Sequence, residues 1–131
     1  MVIREPDPVL DELASAVIGA AVEVHRHLGP GFLESVYEQA MKVELSLQGV
    51  PFRAQHPVPV WYKDHDVGEG RVDLLVGEQL VVELKAVDRL LPIHQAQVVS
   101  YLRAVRCHLG LLINFKVEIL KAGVKRVILS T

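Results

Sequence analysis

Residues 71–86 read RVDLLVGEQLVVELKA, two apolar segments around a Gly-Glu break, and this pattern predicts two buried β-strands. Asp73 lies on the first segment, while Glu83 and Lys85 lie on the second. Side chains two positions apart on a strand share a face, so Glu83 and Lys85 are expected to point the same way. Because an unpaired charge is costly inside a protein, the three charges need partners or a function.

The loop between the two strands decides whether Asp73 can join Glu83. A two-residue turn at 77–78 would place Asp73 opposite the residue before Glu83, with Glu83 on the far face. A three-residue loop at 77–79 would place Asp73 directly opposite Glu83. Such loops favour Gly at their last position, and this chain has Gln79 there. Turn chemistry leaves both registers open, and a β-bulge is another route to the second one.

Length and composition predict one folded domain over residues 1–131. Half of the chain is hydrophobic and 23% is charged, which excludes a disordered protein. The single cysteine, Cys107, excludes an intrachain disulfide framework and suits a reducing cytoplasm. There is no long apolar run and no basic-then-apolar leader, so we expect neither a membrane span nor a signal peptide. The net charge of −2 gives no overall basic excess of the kind that nucleic-acid binders usually show.

The chain before the quoted stretch predicts two amphipathic helices after a loose lead-in at residues 1–7. The first helix is predicted at about 8–28, where a Gly-Pro pair ends it. The second is predicted at about 32–48. The predicted apolar stripe of the second helix consists of Val36, Ala40, Val43 and Leu47.

Strands and one further helix are predicted in the rest of the chain. The predicted segments are strands at about 52–56, 58–63, 71–76 and 80–86, a polar turn at 64–70, a helix at 92–107, a strand at 109–115, and one or two strands around 122–123. This α-α-β-β-β-β-α-β-β order predicts an α/β fold with a mixed central sheet flanked by helices. Parallel neighbours need a long crossover, so the helix at 92–107 predicts a parallel pair formed by the strands on either side of it.

Asp73 and Glu83, if they meet, form a pair of carboxylates in a poorly solvated place. Either one of them holds a proton, or a cation neutralises both. Carboxylate oxygens suit Mg²⁺ or Mn²⁺, and Lys85 could orient a water or offset charge that develops on a phosphate. The alternative is that Asp73 ends a strand while Glu83 and Lys85 form a half-exposed strand face, since Glu-x-Lys is a very common pattern.

This arrangement resembles the PD-(D/E)XK nuclease superfamily, in which an acid and a Glu-x-Lys lie on adjacent strands before a helix and another apolar strand. GFLESVY at 31–37 resembles the G-x-x-E-x-x-Y signature of the small GxxExxY proteins of that superfamily. The stretch at 82–104 resembles their E-L-K-A … H-x-x-Q-x-x-x-Y-L segment. The resemblance extends from about residue 10 to residue 129 and implies a restriction-endonuclease-like core.

The resemblance also implies a nuclease that depends on Mg²⁺ or Mn²⁺. Asp73 and Glu83 match the metal-binding acids, and Lys85 matches the catalytic lysine. Glu34 matches a helical acid that binds the metal directly or through water. The backbone carbonyl of Leu84 would be a further ligand in such a site.

Four further residues are candidates for the border of the site. The resemblance implies that Gln97 and Tyr101 contact the substrate or the lysine, and His94 can share their helix face. The alternative for His94 and Tyr101 is a polar helix face packed beside the sheet. Tyr37 is the fourth candidate, and packing and hydrogen bonding are expected of it rather than chemistry.

The expected function is therefore phosphodiester hydrolysis on a nucleic acid. A second hypothesis is a non-catalytic module that binds nucleic acid or protein and keeps the nuclease fold, which the negative net charge favours. A third is a structural homodimer, because the high apolar fraction is typical of a buried interface.

Overall fold

The structure is a computed structural model that describes residues 7–129. Its elements are α1 (Pro8–Leu28), α2 (Glu34–Leu47), β1 (Phe52–Tyr62), β2 (His65–Val76), β3 (Leu80–Lys85), α3 (Pro92–Val105), β4 (Leu109–Asn114), a 3₁₀ helix (Leu120–Gly123) and β5 (Val124–Ile128). The predicted lead-in at residues 1–6 lies outside the described residues. Asp7, also predicted as lead-in, caps α1, because its Oδ1 accepts a hydrogen bond from the Val9 amide at 2.9 Å.

The five strands form one mixed sheet in the order β1-β2-β3-β4-β5. β3 and β4 are parallel, and the other neighbours are antiparallel. α3 is the connection between the two parallel strands, as the sequence predicted. The predicted α/β class with a mixed sheet flanked by helices is confirmed.

Two apolar layers cover the two faces of the sheet. On one face, α1 and α2 pack against residues that include Leu74, Val82 and Leu84. On the other face, α3 packs with Val98 and Leu102 against a second set of sheet residues, including Val81, Leu112 and Val127. Since side chains alternate along β3, Glu83 and Lys85 share the α3 face with Val81.

The prediction of four strands before α3 was wrong by one strand. The segments predicted at 52–56 and 58–63 form the single strand β1, and the predicted turn at 64–70 is the first half of β2. The turn itself consists of Lys63 and Asp64, with φ of 49° and 66°. β1 contains Pro57 and Pro59 and is nevertheless a strand, because an edge strand has one side free of ladder hydrogen bonds. The polar composition of 64–70 reflects solvent exposure.

The predicted apolar stripe of α2 was wrong at three of its four positions, and of the four only Ala40 packs against the core. Val36, Val43 and Leu47 are exposed, at 37%, 60% and 77% of their surface. The buried residues of α2 are Tyr37, Met41 and Leu45. The Tyr37 ring stacks on Phe115, with 4.4 Å between the ring centroids. The face of α2 that packs against the sheet therefore also carries Glu34. A second acid, Glu38, follows Glu34 by four positions.

No helix within residues 7–129 has the length and apolar character needed to cross a bilayer.

Candidate active site

The hairpin of β2 and β3 has the three-residue connection. Val76 pairs with Leu80, and Leu74 pairs with Val82. In this register Asp73 and Glu83 occupy matching positions just beyond the paired segment, and their carboxyl groups are in contact. Of the two registers that the sequence left open, the structure has the one that brings the two acids together.

The turn obtains this register with one extra residue. Gly77 and Glu78 both have positive φ, at 57° and 61°. The Gln79 amide donates to the Val76 carbonyl at 3.1 Å, which closes a tight turn around the two left-handed residues. Gln79 is then the additional residue before β3 begins at Leu80.

Two donors hold the carboxylate of Asp73 in place. Its Oδ2 accepts a hydrogen bond from the Leu84 amide at 2.8 Å, and its Oδ1 accepts one from Gln55 Nε2 at 3.3 Å. In a strand, the N–H and C=O of one residue point to the same edge. Since the Leu84 amide points toward Asp73, the Leu84 carbonyl points to the same edge of β3, the edge that faces β2.

Glu83 is the most deeply buried acid of the site, with 2% of its surface exposed. Burial, followed by contact with the carboxyl of Asp73, raises its pKa to about 10. Its Oε1 is buried and has no hydrogen-bond partner among residues 7–129. Without a cation Glu83 is therefore protonated at neutral pH. A cation between the two carboxylates would favour the ionised form of Glu83 and so lower its pKa. The buried, unpartnered oxygen fits such an ion.

Lys85 is held by a short chain of hydrogen bonds from α3. Its Nζ donates to Gln97 Oε1 at 3.4 Å, and Gln97 Nε2 donates to Tyr101 Oη at 3.3 Å. The Tyr101 ring lies against β2 at Gly70, where an added Cβ would come within 2.8 Å of Tyr101 Cε1. A glycine at this position is therefore what allows the ring, and through it Gln97, to approach the sheet.

Glu34 lies in the first turn of α2 and interacts electrostatically with the site. Burial raises its pKa, Lys85 opposes this, and Asp73 adds to the increase. However, no three acidic, histidine or cysteine side chains within residues 7–129 stand close enough together to hold a metal ion. Glu34 therefore borders the acid pair without joining it in one ligand group.

Two residues of this region, Glu38 and Gln55, were not predicted from the sequence. Gln55 Nε2 donates to Glu38 Oε1 at 2.6 Å and also to Asp73, so it bridges α2 and the sheet. Burial, followed by the charge of Asp73, raises the pKa of Glu38. Glu38 could have been found, because it follows Glu34 by four residues on one helix face. No sequence pattern points to Gln55. Its φ of 49° is unusual for a residue within a strand, and the sequence does not predict such a backbone conformation there.

Tyr37 and His94 are engaged in local contacts. The Tyr37 hydroxyl donates to the Gly29 carbonyl and accepts from the Phe32 amide at 3.1 Å, so it fixes the loop before Glu34. His94 Nδ1 accepts from the Leu91 amide at 3.0 Å at the start of α3. These contacts give both residues a structural function.

One comparison with known proteins identifies a family for this chain. Residues 11–127 match the family model of the PD-(D/E)XK nuclease superfamily, and this range includes Glu34, Asp73, Glu83 and Lys85. No curated protein and no solved structure matches the chain significantly. The match covers most of the 131 residues. The chain therefore belongs to the PD-(D/E)XK nuclease superfamily.

Proposed function

We propose that this protein is a Mg²⁺- or Mn²⁺-dependent nuclease that hydrolyses phosphodiester bonds, and that it is one of the GxxExxY proteins of the superfamily. The observation that carries the proposal is the contact between the half-buried Asp73 and the buried Glu83, whose Oε1 has no partner among the described residues. Membership of the superfamily supports it, because nucleases of this superfamily generally use divalent metal ions.

The carboxylates of Asp73 and Glu83 and the backbone carbonyl of Leu84 would hold the cation. All three are oxygen donors, which Mg²⁺ and Mn²⁺ prefer. Glu34 would contribute through a water, since it borders the acid pair without joining it. When bound, the ion would lower the pKa of a coordinated water and offset negative charge on the phosphate.

Lys85 and α3 would complete the reaction site. The water oxygen forms a bond to phosphorus and releases a proton to solvent, while the bond from phosphorus to the leaving sugar oxygen breaks and that oxygen takes up a proton from solvent. The Lys85 ammonium would orient the water and stabilise the charge that develops on the phosphate. Gln97, which accepts a hydrogen bond from Lys85 Nζ, would keep the ammonium in position, and Tyr101 would keep Gln97 in position.

A second candidate function is a non-catalytic module that binds nucleic acid or protein. The observation in its favour is that no three ligating side chains converge anywhere in the described part of the chain. The two functions share a fold, so only an activity measurement separates them.

The test is cleavage of single-stranded, duplex and branched DNA and RNA by the purified protein, with Mn²⁺, with Mg²⁺ or with EDTA. We expect cleavage by the wild type with either metal, none with EDTA, and a loss on the order of 10³-fold for Asp73→Asn, as removal of several kcal/mol of transition-state stabilisation implies.

The matched control is Asp66→Asn, the same substitution on an exposed part of the same strand. It should cleave like the wild type. A wild-type protein that cuts nothing beyond what Asp73→Asn cuts would refute the nuclease. Binding without cleavage in that experiment would favour the non-catalytic module.

A further inference from the structure

A cleft opens at the same end of the sheet as the candidate site, beside β4 and β5. Its volume is about 390 Å³; segments 88–90 and 122–125 form its walls, and Asn114 and Val117 lie between them. The first wall begins three residues after Lys85, and Asn114 is the β4 partner of Lys85. This β4–β5 cleft therefore begins beside the residues proposed to act on the phosphodiester.

The wall that follows β3 is fixed by the side chain of Asn114, which is almost fully buried. Asn114 Oδ1 accepts hydrogen bonds from the amides of Val87 and Lys116, at 3.0 and 3.2 Å. Its Nδ2 donates to the Val87 carbonyl at 2.8 Å. Because the oxygen and the nitrogen of this side chain both have partners, the cleft is built into the fold.

The cleft has an excess of positive charge, because Asp88, the one acidic residue among the described residues that line it, is paired with Lys116. Asp88 Oδ1 lies 2.7 Å from Lys116 Nζ, and this contact lowers the pKa of Asp88 from its ordinary value. Arg89 and Lys125 are exposed, and neither forms a salt bridge with any residue between 7 and 129. Two cations therefore remain for an anion, in a chain whose net charge is −2.

Lys125 projects from the same face of the sheet as Glu83. Leu112 of β4 pairs with Glu83 on one side and with Lys125 on the other. Directly paired residues share a face, so these three side chains form one row. Two strand spacings, about 10 Å, separate the backbone of Glu83 from that of Lys125.

A larger cavity at the opposite end of the sheet lacks this charge. Its volume is about 590 Å³, and Arg106 and Arg126 line it. Three acids also line it: Asp7, Asp11 and Glu78. Since these carboxylates offset the arginines, a polyanion would favour the β4–β5 cleft.

We propose that Arg89 and Lys125 bind backbone phosphates of the nucleic-acid strand that is cut at Asp73 and Glu83. The strand then runs from the candidate site across the ends of β3 and β4 into the β4–β5 cleft. This inference rests on the proposed nuclease function and gives the path of its substrate. Because Lys and Arg contact phosphate oxygens here, the binding is independent of base sequence and weakens as salt concentration rises.

The test measures binding of short single-stranded DNA, single-stranded RNA and duplex DNA in EDTA, where no cleavage is expected. The affinity is followed between about 50 and 200 mM KCl for the wild type and for the double variant Arg89→Ala/Lys125→Ala. We expect the slope of log K against log salt to fall by about 1.4–1.8 with the double variant, since each lost phosphate contact contributes about 0.7–0.9.

The matched control is Arg26→Ala/Arg103→Ala, which removes the same charge from other exposed positions and should keep the wild-type slope. Arg89→Lys/Lys125→Arg should restore the slope. The cleft inference is wrong if both alanine double variants change the slope equally, or if Arg89→Ala/Lys125→Ala leaves it unchanged. The nuclease proposal stands in either case if the wild type still cuts with Mn²⁺. A wild type that neither binds nor cuts would overturn both.

Discussion

The two hairpins that share β2 have similar turns and very different surroundings. In the β1–β2 hairpin, two left-handed residues, Lys63 and Asp64, connect strands whose outer halves are exposed. In the β2–β3 hairpin, Gly77 and Glu78 have the same left-handed backbone, but the strands are buried and Gln79 is added. The additional residue, Gln79, therefore sets the register of the buried hairpin, and this register brings Asp73 next to Glu83.

The difference shows where register matters. A shift of one residue at the exposed end of β1–β2 would exchange one solvated face for another. The same shift in β2–β3 would move Glu83 and Lys85 into the apolar layer beneath α1 and α2, where an unpaired charge is costly. The candidate site therefore depends on the register of the buried hairpin.

The largest effect on stability is expected at Glu83, through its pKa. That pKa rises from 4.5 to about 10 in the folded protein. A raised pKa means that the stabilisation is fully present below pH 4.5 and is lost progressively as pH rises toward 10. At pH 7 the loss is on the order of 3 kcal/mol, at about 1.4 kcal/mol for each pH unit.

Glu83→Gln removes this titration. In EDTA its free energy of unfolding, measured with urea, should increase relative to the wild type from pH 5 to pH 8. Glu69→Gln, on the exposed β1–β2 hairpin, is the control and should show little change with pH. A constant difference between Glu83→Gln and the wild type would mean that burial and Asp73 do not raise the pKa of Glu83.

The next effect is expected in the turn of the buried hairpin. Gly77 has a φ of 57°, and an added Cβ would lie 2.7 Å from Leu13 Cδ1 of α1. Gly77→Ala should therefore destabilise the protein by about 1–3 kcal/mol through backbone strain and overpacking. The measurement is the urea midpoint at constant m-value.

The exposed turn provides the contrast, because Asp64 also has positive φ and lies at the surface. Asp64→Gly should leave the stability unchanged or increase it by up to about 1 kcal/mol, since glycine adopts this conformation without strain. Equal stability of Gly77→Ala and the wild type would show that the buried turn is not packed against α1.

The smallest effect is expected at Gln55, the β1 residue that contacts Asp73. Gln55→Ala should raise the Mn²⁺ concentration needed for half-maximal cleavage by about tenfold, as loss of a partner that orients a metal ligand does. The rate at saturating Mn²⁺ should change less. Gln79→Ala, an exposed position on the other hairpin, is the control and should not alter the metal requirement. If both variants behave alike, Gln55 does not position Asp73.

Much of the fold could be predicted because local pattern and packing agree. The helix predicted at 8–28 has the bounds of α1, since Pro8 suits the first turn of a helix and the Gly29-Pro30 pair ends it. The parallel pair of β3 and β4 followed from the helix between two apolar strands. These features depend on signals that lie within a few residues of one another.

Other features depend on contacts that are distant in sequence. The apolar stripe of α2 pointed to Val43 and Leu47, but the helix buries Tyr37 because that ring stacks on Phe115. The polar residues at 64–70 hid a strand, since the outer part of the β1–β2 hairpin needs no apolar face. Burial against a remote element decided both cases.

The candidate site was predicted in part for the same reason. Alternation along β3 placed Glu83 and Lys85 on one face, but Asp73 could be placed only once the pairing of Val76 with Leu80 was known. Gln55 could not be predicted, because its contact with Asp73 depends on a left-handed backbone within β1.

The most direct test of the metal site is a crystal structure of the protein grown with Mn²⁺, with the ion located from its anomalous scattering. We expect one ion within about 2.5 Å of carboxylate oxygens of both Asp73 and Glu83 and of the Leu84 carbonyl, and no such ion in crystals of Asp73→Asn. Mn²⁺ bound elsewhere at saturating concentration, or Asp73 and Glu83 on opposite faces of the sheet, would contradict it.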